Sequence, residues 1–473
     1  MTLISFLEKL NMIPKDNSIS ASSMTGTLKI DSRLIEPGDV YLVMPVSQEN
    51  LAKQYQDEAK QRGAAFILDV AEPRYLWSQW AKHCYPKQPE TCVAVTGTSG
   101  KTSAVEFTRQ LWQHTGLKAA SLGTLGLKSE EVSVRNIQPK ITLTTPDSFV
   151  LHQVLHQLAN CDIQHVALEA SSHGLDQHRL DQVIWAAAAF TNLSHDHLDY
   201  HKNMENYFQS KQRLFQERLS TLSVAVLNRA DPYGLRLGRV CAERGIRTLW
   251  FGGQQADLIL DKVERHSKGM SLNLNLFGKK IELNLPLIGL FQIENILTAF
   301  GLVVGSGLES DRAVQGLASL KGIPGRMEYV GETSQGGAVY VDYAHKPMAL
   351  ENILKAARDH TIGEISVVFG CGGNRDTEKR PMMGKIAQTL ADNVYITDDN
   401  PRDEAPDVIR AAILAQCPKA IEISPRDQAI AKALSKCKRG DICIIAGKGH
   451  ETGQVIKDKV IPFDDRKVAE QFL

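Results

Sequence analysis

Residues 97 to 102 read Gly-Thr-Ser-Gly-Lys-Thr, directly after the β-branched run Val93 to Thr96 and directly before a helical pattern. Strand, glycine turn and helix in that order build an anion site. Amides at the turn and the helix start face one point, with the positive end of the helix dipole behind them. Gly97, Thr98, Ser99, Gly100, Lys101, Thr102 and Ser103 are the candidate phosphate contacts. Lys101 is placed to pair with β- and γ-phosphates, and the Thr102 hydroxyl to reach a Mg²⁺ ion. The spacing is compressed, because two residues separate Gly97 from Gly100 where the general phosphate loop has four, and Val95 stands where that motif has a further glycine. A glycine turn before a helix, with no ligand, is the competing reading.

Two further stretches carry titratable groups. In HVALEASSHGLDQHRL, Glu169 closes an apolar strand pattern, where a lone carboxylate is costly unless it meets a cation, which makes it a candidate metal ligand. In FTNLSHDHLDYH, His195, Asp196, His197, Asp199 and His201 fall within seven positions. Zinc is one reading of that stretch. No thiolate lies nearby and no histidine pair flanks a glutamate, so a single imidazole assisting a hard, oxygen-preferring Mg²⁺ fits better.

The elements that must position these groups follow from composition and pattern. A chain of 473 residues is too long for one core. Its 54 basic and 54 acidic residues balance, which argues against nucleic acid or a membrane surface as partner. The start, MTLISFLEKLNMIP, suits a short helix, without the charged and apolar segments of a signal peptide. No run of eighteen apolar residues occurs, so a soluble cytoplasmic protein is expected. Cys84, Cys92, Cys161, Cys241, Cys371, Cys417, Cys437 and Cys443 form no Cys-x-x-Cys pair and read as free thiols in a reducing compartment.

Pro/Gly breaks at CYPKQPET and KGIPGRME divide the chain into three expected domains, residues 1–90, 91–324 and 325–473. The first mixes short strands (DVYLVMPV, AAFILDV) with polar helices. The second alternates strands (HVALEA, AAAAFTNL, SVAVLNR) with helices, as a wound parallel sheet does. The third repeats that alternation through GGAVYVDYA, EISVVFGC, DNVYITDD, AIEIS and DICIIAGKG, with helices at PMALENILKAARDH and DQAIAKALSK. The fold class expected is α/β.

TGTSGKTS, TLTTPD, EASSHGLDQHRL, FTNLSHDHLDYH, GLFQIENILTA, GIPGRMEYV, VDYAHKPMALENIL, FGCGGNRDTEKRP, DDNPRDE and AGKGHE follow one another in this chain. In that order they resemble the Mur ligases of peptidoglycan biosynthesis, and among them the tripeptide synthetases acting on UDP-N-acetylmuramoyl-L-alanyl-D-glutamate. The resemblance implies a small N-terminal α/β domain for the UDP substrate, a central phosphate-loop ATPase-like domain with a parallel sheet, and a Rossmann-like C-terminal α/β domain. It implies an ADP-forming amide ligase using ATP and Mg²⁺, working as a monomer on small molecules.

Site residues carry over by position. The resemblance implies that Lys101, Glu169, His197 and Lys211 are catalytic, and that Thr102, Glu169, His197 and Lys211 serve the metal, Lys211 as a carbamate. From residues alone Lys211 reads as an exposed helix lysine. Asn295, Arg326, Asp342 and His345 join the ATP contacts. Ser32, Thr144, Thr145, Ser171, Gln177 and Arg179 match contacts of the UDP-linked dipeptide; Arg375, Asp399, Asn400, Pro401, Arg402, Gly447 and Glu451 match the amino-acid pocket. Members that add meso-diaminopimelate carry Asp-Asn-Pro-Arg. A guanidinium suits the second carboxylate that distinguishes this substrate from lysine. Taken alone, the segment is also a good turn. A lysine-adding ligase, a folylpolyglutamate-synthetase-like ligase and a non-catalytic nucleotide switch are the competing readings. The chain departs from the family at VSQENLAKQYQDEA, where a glycine and an Asp-Gly-His-like segment are usual, and at Ser99, Lys346 and Asn374, which stand for Asn, Thr and Asp.

Overall fold

The computed structural model describes residues 2–13, 24–46, 48–137, 143–266, 268–374 and 376–473. It is a mixed α/β structure in which parallel pairings predominate. The chain resolves into two compact units. One comprises Met1–Val105, Gly116–Ala225 and Tyr233–Thr248, the other Glu106–Thr115, Val226–Pro232 and Leu249–Leu473.

In the first unit the opening helix spans Leu3–Lys9, with Thr2 as its N-cap and Leu3, Phe6 and Leu7 buried at the i, i+3, i+4 spacing that the sequence predicts. Leu28–Lys29, Val40–Leu42 and Phe66–Leu68 form a small parallel sheet. A larger set runs in the order Ala187–Phe190, Thr91–Thr96, His165–Glu169, Ala119–Gly123, all parallel, with Gly126–Ser129 antiparallel at the edge. Cys92 to Val95 are fully buried, as the continuous apolar run of a two-sided parallel strand requires. Because these strands are parallel, the glycine turn, Thr124, Ala170–Ser171 and Thr191 all emerge at one edge, where α/β sheets place their ligands.

The second unit contains three antiparallel strands, Leu258–His266, Gly269–Leu276 and Lys279–Leu285, that the sequence reading passed over. It also holds the almost entirely buried helix Leu290–Gly305. Its six-stranded sheet runs Glu328–Glu332, Ala338–Asp342, Ile442–Ala446, Ile365–Phe369, Asn393–Ile396, Ile421–Glu422, parallel except for the first strand. All five strands expected in this region form. Four of their C-terminal ends lead into Tyr343–His345, Gly370–Asn374, Asp398–Arg402 and Gly447–Glu451, again at one edge. A hairpin of Gly453–Ile456 and Lys459–Pro462 follows.

The eight cysteines are free thiols, six of them buried. Among the described residues no helix is long and apolar enough to cross a membrane.

Two strand ends of the second unit are tied by Arg426, which is fully buried. Its Nε and Nη2 each donate to a carboxylate oxygen of Asp465 at 2.7 Å, Nη2 also reaches the Ala446 carbonyl at 2.9 Å, and Nη1 the Asp398 carbonyl at 3.3 Å. Asp465→Ala leaves a buried guanidinium uncompensated and should cost about 3–5 kcal/mol of unfolding free energy. The Arg426→Met/Asp465→Leu pair, which removes both charges, should cost less. Denaturant titration of the three proteins checks this, and a double variant less stable than Asp465→Ala contradicts it.

Candidate active site

The glycine turn is built around an exclusion. A Cβ on Gly97 would lie 1.9 Å from Thr191 Oγ1, and its φ of +146° favours glycine as well. Thr191 Oγ1 donates to the Ser99 carbonyl at 2.7 Å. The Thr98 amide donates to the Asn192 carbonyl at 2.8 Å, and the Ser99 amide to Asn192 Oδ1 at 3.1 Å. Two amides expected to face an oxyanion are therefore committed to Asn192, which the sequence reading did not single out. Lys101 Nζ folds back onto the carbonyls of Gly97 (2.9 Å) and Thr98 (2.8 Å). Thr102 and Ser103, in the first turn of helix Lys101–His114, are buried.

Lys211 is not the exposed helix lysine that its local sequence suggests. It is 1 % exposed, its Nζ donates to the same Gly97 carbonyl at 2.8 Å, and the amine lies 4.4 Å from the centre of the Tyr207 ring, one helical turn before it. Burial, reinforced by Lys101, pushes its pKa well below the ordinary lysine range against the opposing pull of Asp196. Tyr207 also reaches Thr98 Oγ1 through its hydroxyl at 3.2 Å. The His197 ring lies 6.1 Å and the His201 ring 5.1 Å from its own, and His173 and Tyr200 pack in turn against those histidines. His197 has a φ of +54° and lies 3.6 Å from Asp196 through Nε2. His195 and Asp199 are exposed.

Glu169 is 2 % exposed. Its burial is offset by Thr124, whose amide donates to Oε1 at 2.8 Å and whose hydroxyl donates to Oε2 at 3.2 Å. Gly123 has to be small for this, since a Cβ there would lie 2.2 Å from Oε1. No ion pair to Glu169 occurs among the described residues, and its protein partners there are that hydroxyl and amide.

Five of the six residues expected to hold the UDP-linked dipeptide form one network. Thr144 Oγ1 contacts Thr124 Oγ1 at 3.2 Å. Thr145 Oγ1 donates to the Glu169 carbonyl at 2.7 Å and accepts from the Ser171 amide at 3.0 Å. Arg179 donates to the Thr145 carbonyl and to Gln177 Oε1, which also accepts from Arg74. Ser171 caps the short helix Ser172–Asp176. Ser32 stands apart, donating to Glu58 Oε2 at 2.6 Å. Glu58 lies on helix Glu49–Gln61, which occupies the segment that departs from the family pattern.

In the second unit Asn295 is buried and donates to Gln292, which donates to the Arg326 carbonyl at 3.2 Å. The Arg326 guanidinium lies 5.0 Å from the centre of the Tyr343 ring. Asp342 accepts from the amides of Met327 and Ala344, both at 2.7 Å. Burial raises its pKa, while Arg326 and those two amides oppose the rise. His345 Nδ1 contacts the Tyr343 carbonyl at 2.8 Å, which fixes that nitrogen as the donor. Arg326, Asp342 and His345 thus surround Tyr343.

The Asp399-Asn400-Pro401-Arg402 segment is clamped by the hairpin. Gln454 Nε2 donates to the Asp399 carbonyl at 2.6 Å and the Val455 amide to Asn400 Oδ1 at 2.9 Å. The Arg402 amide donates to the Val455 carbonyl at 3.0 Å, and the Lys457 amide to the Arg402 carbonyl at 2.8 Å. Arg402 takes a φ of +52°. Its Nη1 donates to the carbonyls of Gly373 (2.9 Å) and Asn400 (3.4 Å), while Nε and Nη2 make no hydrogen bond among the described residues. Asn400 Nδ2 donates to Glu451 Oε2 at 3.1 Å, so Arg402 and Glu451 flank Asn400. Gly447 turns beside Asp399, whose carboxylate lies 4.0 Å from a Cβ built on the glycine. Arg375 lies outside the described residues.

Residues 95–303 match the family described as Mur ligase middle domain, and residues 325–449 the one described as Mur ligase, glutamate ligase domain. The UDP-N-acetylmuramoyl-L-alanyl-D-glutamate--2,6-diaminopimelate ligase of Chelativorans sp. (strain BNC1) is 42% identical over 480 residues, covering 98% of both chains. The protein of the same name from Mesorhizobium japonicum is 43% identical over 471 residues, 96% of each. A solved structure of a ligase with that name superposes with a TM-score of 0.68 at 30% identity, covering 94% of each chain. Folylpolyglutamate synthase of Mycobacterium tuberculosis, complexed with ADP and AMPPCP, reaches a TM-score of 0.65 over 79% of this chain and 92% of its own; at 17% identity this is a likeness of fold. With two family matches across most of its length and relatives this similar from end to end, the chain belongs to the Mur ligase family.

Proposed function

We propose that this protein is the ATP-dependent, ADP-forming ligase that joins meso-diaminopimelate to UDP-N-acetylmuramoyl-L-alanyl-D-glutamate in cytoplasmic peptidoglycan synthesis. A division into domains at residues 1–90, 91–324 and 325–473 is part of that reading, supported by family matches that begin at residues 95 and 325. The observation that carries the choice of amino acid is the pair flanking Asn400. A guanidinium with an uncommitted edge and a carboxylate together complement a substrate end bearing both a carboxylate and an ammonium. A lysine-adding enzyme would leave the guanidinium without a counterion. A nucleotide switch without catalysis has no use for a buried lysine beside the phosphate turn.

In this reading an oxygen of the D-glutamate γ-carboxylate attacks the γ-phosphorus of ATP and ADP departs, leaving an acyl phosphate. The neutral amine of the amino acid then attacks the acyl carbon, phosphate leaves, and the amine proton passes to solvent. Phosphoryl transfer is mostly a matter of positioning and charge neutralisation. Lys101 offsets phosphate charge by leaving the Gly97 and Thr98 carbonyls for it. Asn295, Arg326, Asp342 and His345 contribute to holding the nucleotide. Ser32 and the network of Thr144, Thr145, Ser171, Gln177 and Arg179 hold the UDP-linked dipeptide.

The residues fit a Mg²⁺ ion. Oxygen predominates among the available donors, a hydroxyl, a carboxylate and a carbamate beside one imidazole, which is the preference of this ion, with phosphates and water completing its shell. Thr102, Glu169, His197 and a carbamate on Lys211 would hold it, and it would neutralise charge across the phosphates. The depressed pKa of Lys211 supports the carbamate, because a neutral amine is the form that adds CO₂, losing one proton and becoming an anion.

Incubation with ATP, the UDP-linked dipeptide and single amino acids tests the reading directly; preference for lysine sinks it. Lys211→Ala should lower turnover on the order of a hundredfold, and millimolar formate or acetate should restore part of it by placing a carboxylate where the carbamate stood. Unchanged turnover in the variant would remove Lys211 from the mechanism. Arg402→Ala should cost about 2 to 5 kcal/mol in kcat/KM for meso-diaminopimelate, a factor of roughly 30 to several thousand. The KM for ATP and for the dipeptide should stay within a few-fold. Steady-state kinetics on the three substrates checks it, and an undiminished kcat/KM would reduce the segment to a turn.

A further inference from the structure

Lys448, between two glycines of AGKGHE, is 0% exposed. An ammonium at that depth is costly unless it is paired. Its Nζ donates to Asn400 Oδ1 at 3.1 Å and to Glu451 Oε2 at 3.4 Å, and lies 3.6 Å from Asp399 Oδ1. That Asp399 oxygen is buried and accepts no hydrogen bond, so Lys448 is the positive charge set against it. Enclosed as it is, Lys448 has no surface to offer a substrate and acts through its neighbours.

The neighbour that faces outward is Glu451, whose side chain is 35% exposed. Its Oε2 is engaged twice, by Lys448 and by Asn400 Nδ2 at 3.1 Å. Its Oε1 accepts no hydrogen bond among the described residues. One oxygen is anchored from below and the other presented. Arg402, by contrast, is held through the hairpin backbone and the carbonyls of Gly373 and Asn400, with no hydrogen bond to Lys448 among the described residues.

We infer that Lys448 is a positioning residue for amino-acid selection: its buried ammonium fixes Glu451 through Oε2 so that Oε1 meets the distal ammonium of the incoming amino acid. This rests on the reading of the pocket given above. It separates two halves of recognition, the carboxylate end governed by Arg402 and the ammonium end by Lys448 through Glu451.

A double-variant cycle in the full-length enzyme tests it, using Lys448→Met, Glu451→Gln and their combination with ATP, the UDP-linked dipeptide and meso-diaminopimelate. Lys448→Met should raise the KM for meso-diaminopimelate about tenfold to a hundredfold, the usual weight of a hydrogen bond to a charged group. The turnover at saturation and the KM for the other two substrates should stay within about twofold, as expected for sites that do not couple. In the Glu451→Gln background the Lys448 change should add less than about twofold, since its effect passes through Glu451. An unchanged KM, an equal penalty in both backgrounds, or a loss spread over all three substrates overturns the role. Where Lys448→Met fails to fold, Lys448→Gln is read by the same criteria, with a smaller rise in KM that again vanishes with Glu451→Gln. Wild-type enzyme that ligates no diamino acid overturns the pocket reading and this role together, whereas a competent wild type with an indifferent Lys448 variant overturns this role alone.

Discussion

Two lysine side chains converge on one carbonyl oxygen. Lys101 and Lys211 both donate to Gly97, from helices that start more than a hundred residues apart in sequence, and much of the first unit follows from keeping two such groups so close. Burial first, and the like charge of Lys101 second, make Lys211 hold its proton weakly. Gly97 must lack a side chain because Thr191 stands in its place. Thr191 and Asn192 must follow a strand parallel to and beside the one leading to Gly97, which the register Thr96 with Phe190 provides. Tyr207 then links the turn, through its hydroxyl on Thr98, to the histidine cluster against its ring.

The α/β alternation was legible because fully buried parallel strands are written as continuous apolar runs, as in Val93–Val95 and Ile442–Ala446. The antiparallel strands from Leu258 to Leu285 were less so. Their alternation in SLNLNL is clear, but they lie between two wound segments where a helix would have been the natural connection. At the site, charged residues next to glycines stood out, while the groups that fix them did not. Thr124, Asn192 and Tyr207 are ordinary residue types whose importance comes from strands brought side by side. Lys211 shows the limit most plainly. A lysine two positions before an arginine in a polar helix reads as solvated, and nothing local says that a carbonyl from position 97 will cover it.

The two units show two ways of holding buried polar groups. In the first, buried polar atoms are satisfied mostly by short hydroxyl and amide contacts, such as Thr124 with Glu169 and Thr145 with Ser171. In the second, Arg426 and Asp465 are buried as a charged pair, and buried Lys448 is set against Asp399 and the outward-facing Glu451. Pairs of that kind add little net stability compared with apolar packing, but they make departures from one arrangement expensive. In the proposed pocket, where amino acids differing by a single carboxylate are to be told apart, such rigidity is an advantage.

The left-handed backbone of Arg402 has a consequence for how this loop can drift. That conformation costs an L-residue roughly 1–2 kcal/mol, and least for glycine, asparagine or aspartate. Here it is imposed by main-chain bonds to Val455 and Lys457, none of which uses the arginine side chain. The course of the loop therefore does not rest on the side chain at 402, and asparagine or glycine would sit there with less strain than the arginine does. The hairpin is constrained in its backbone. Apart from the Gln454 amide on the Asp399 carbonyl it holds the loop through its main chain, so a proline at 457 would remove an amide that the loop depends on whatever the neighbouring side chains are.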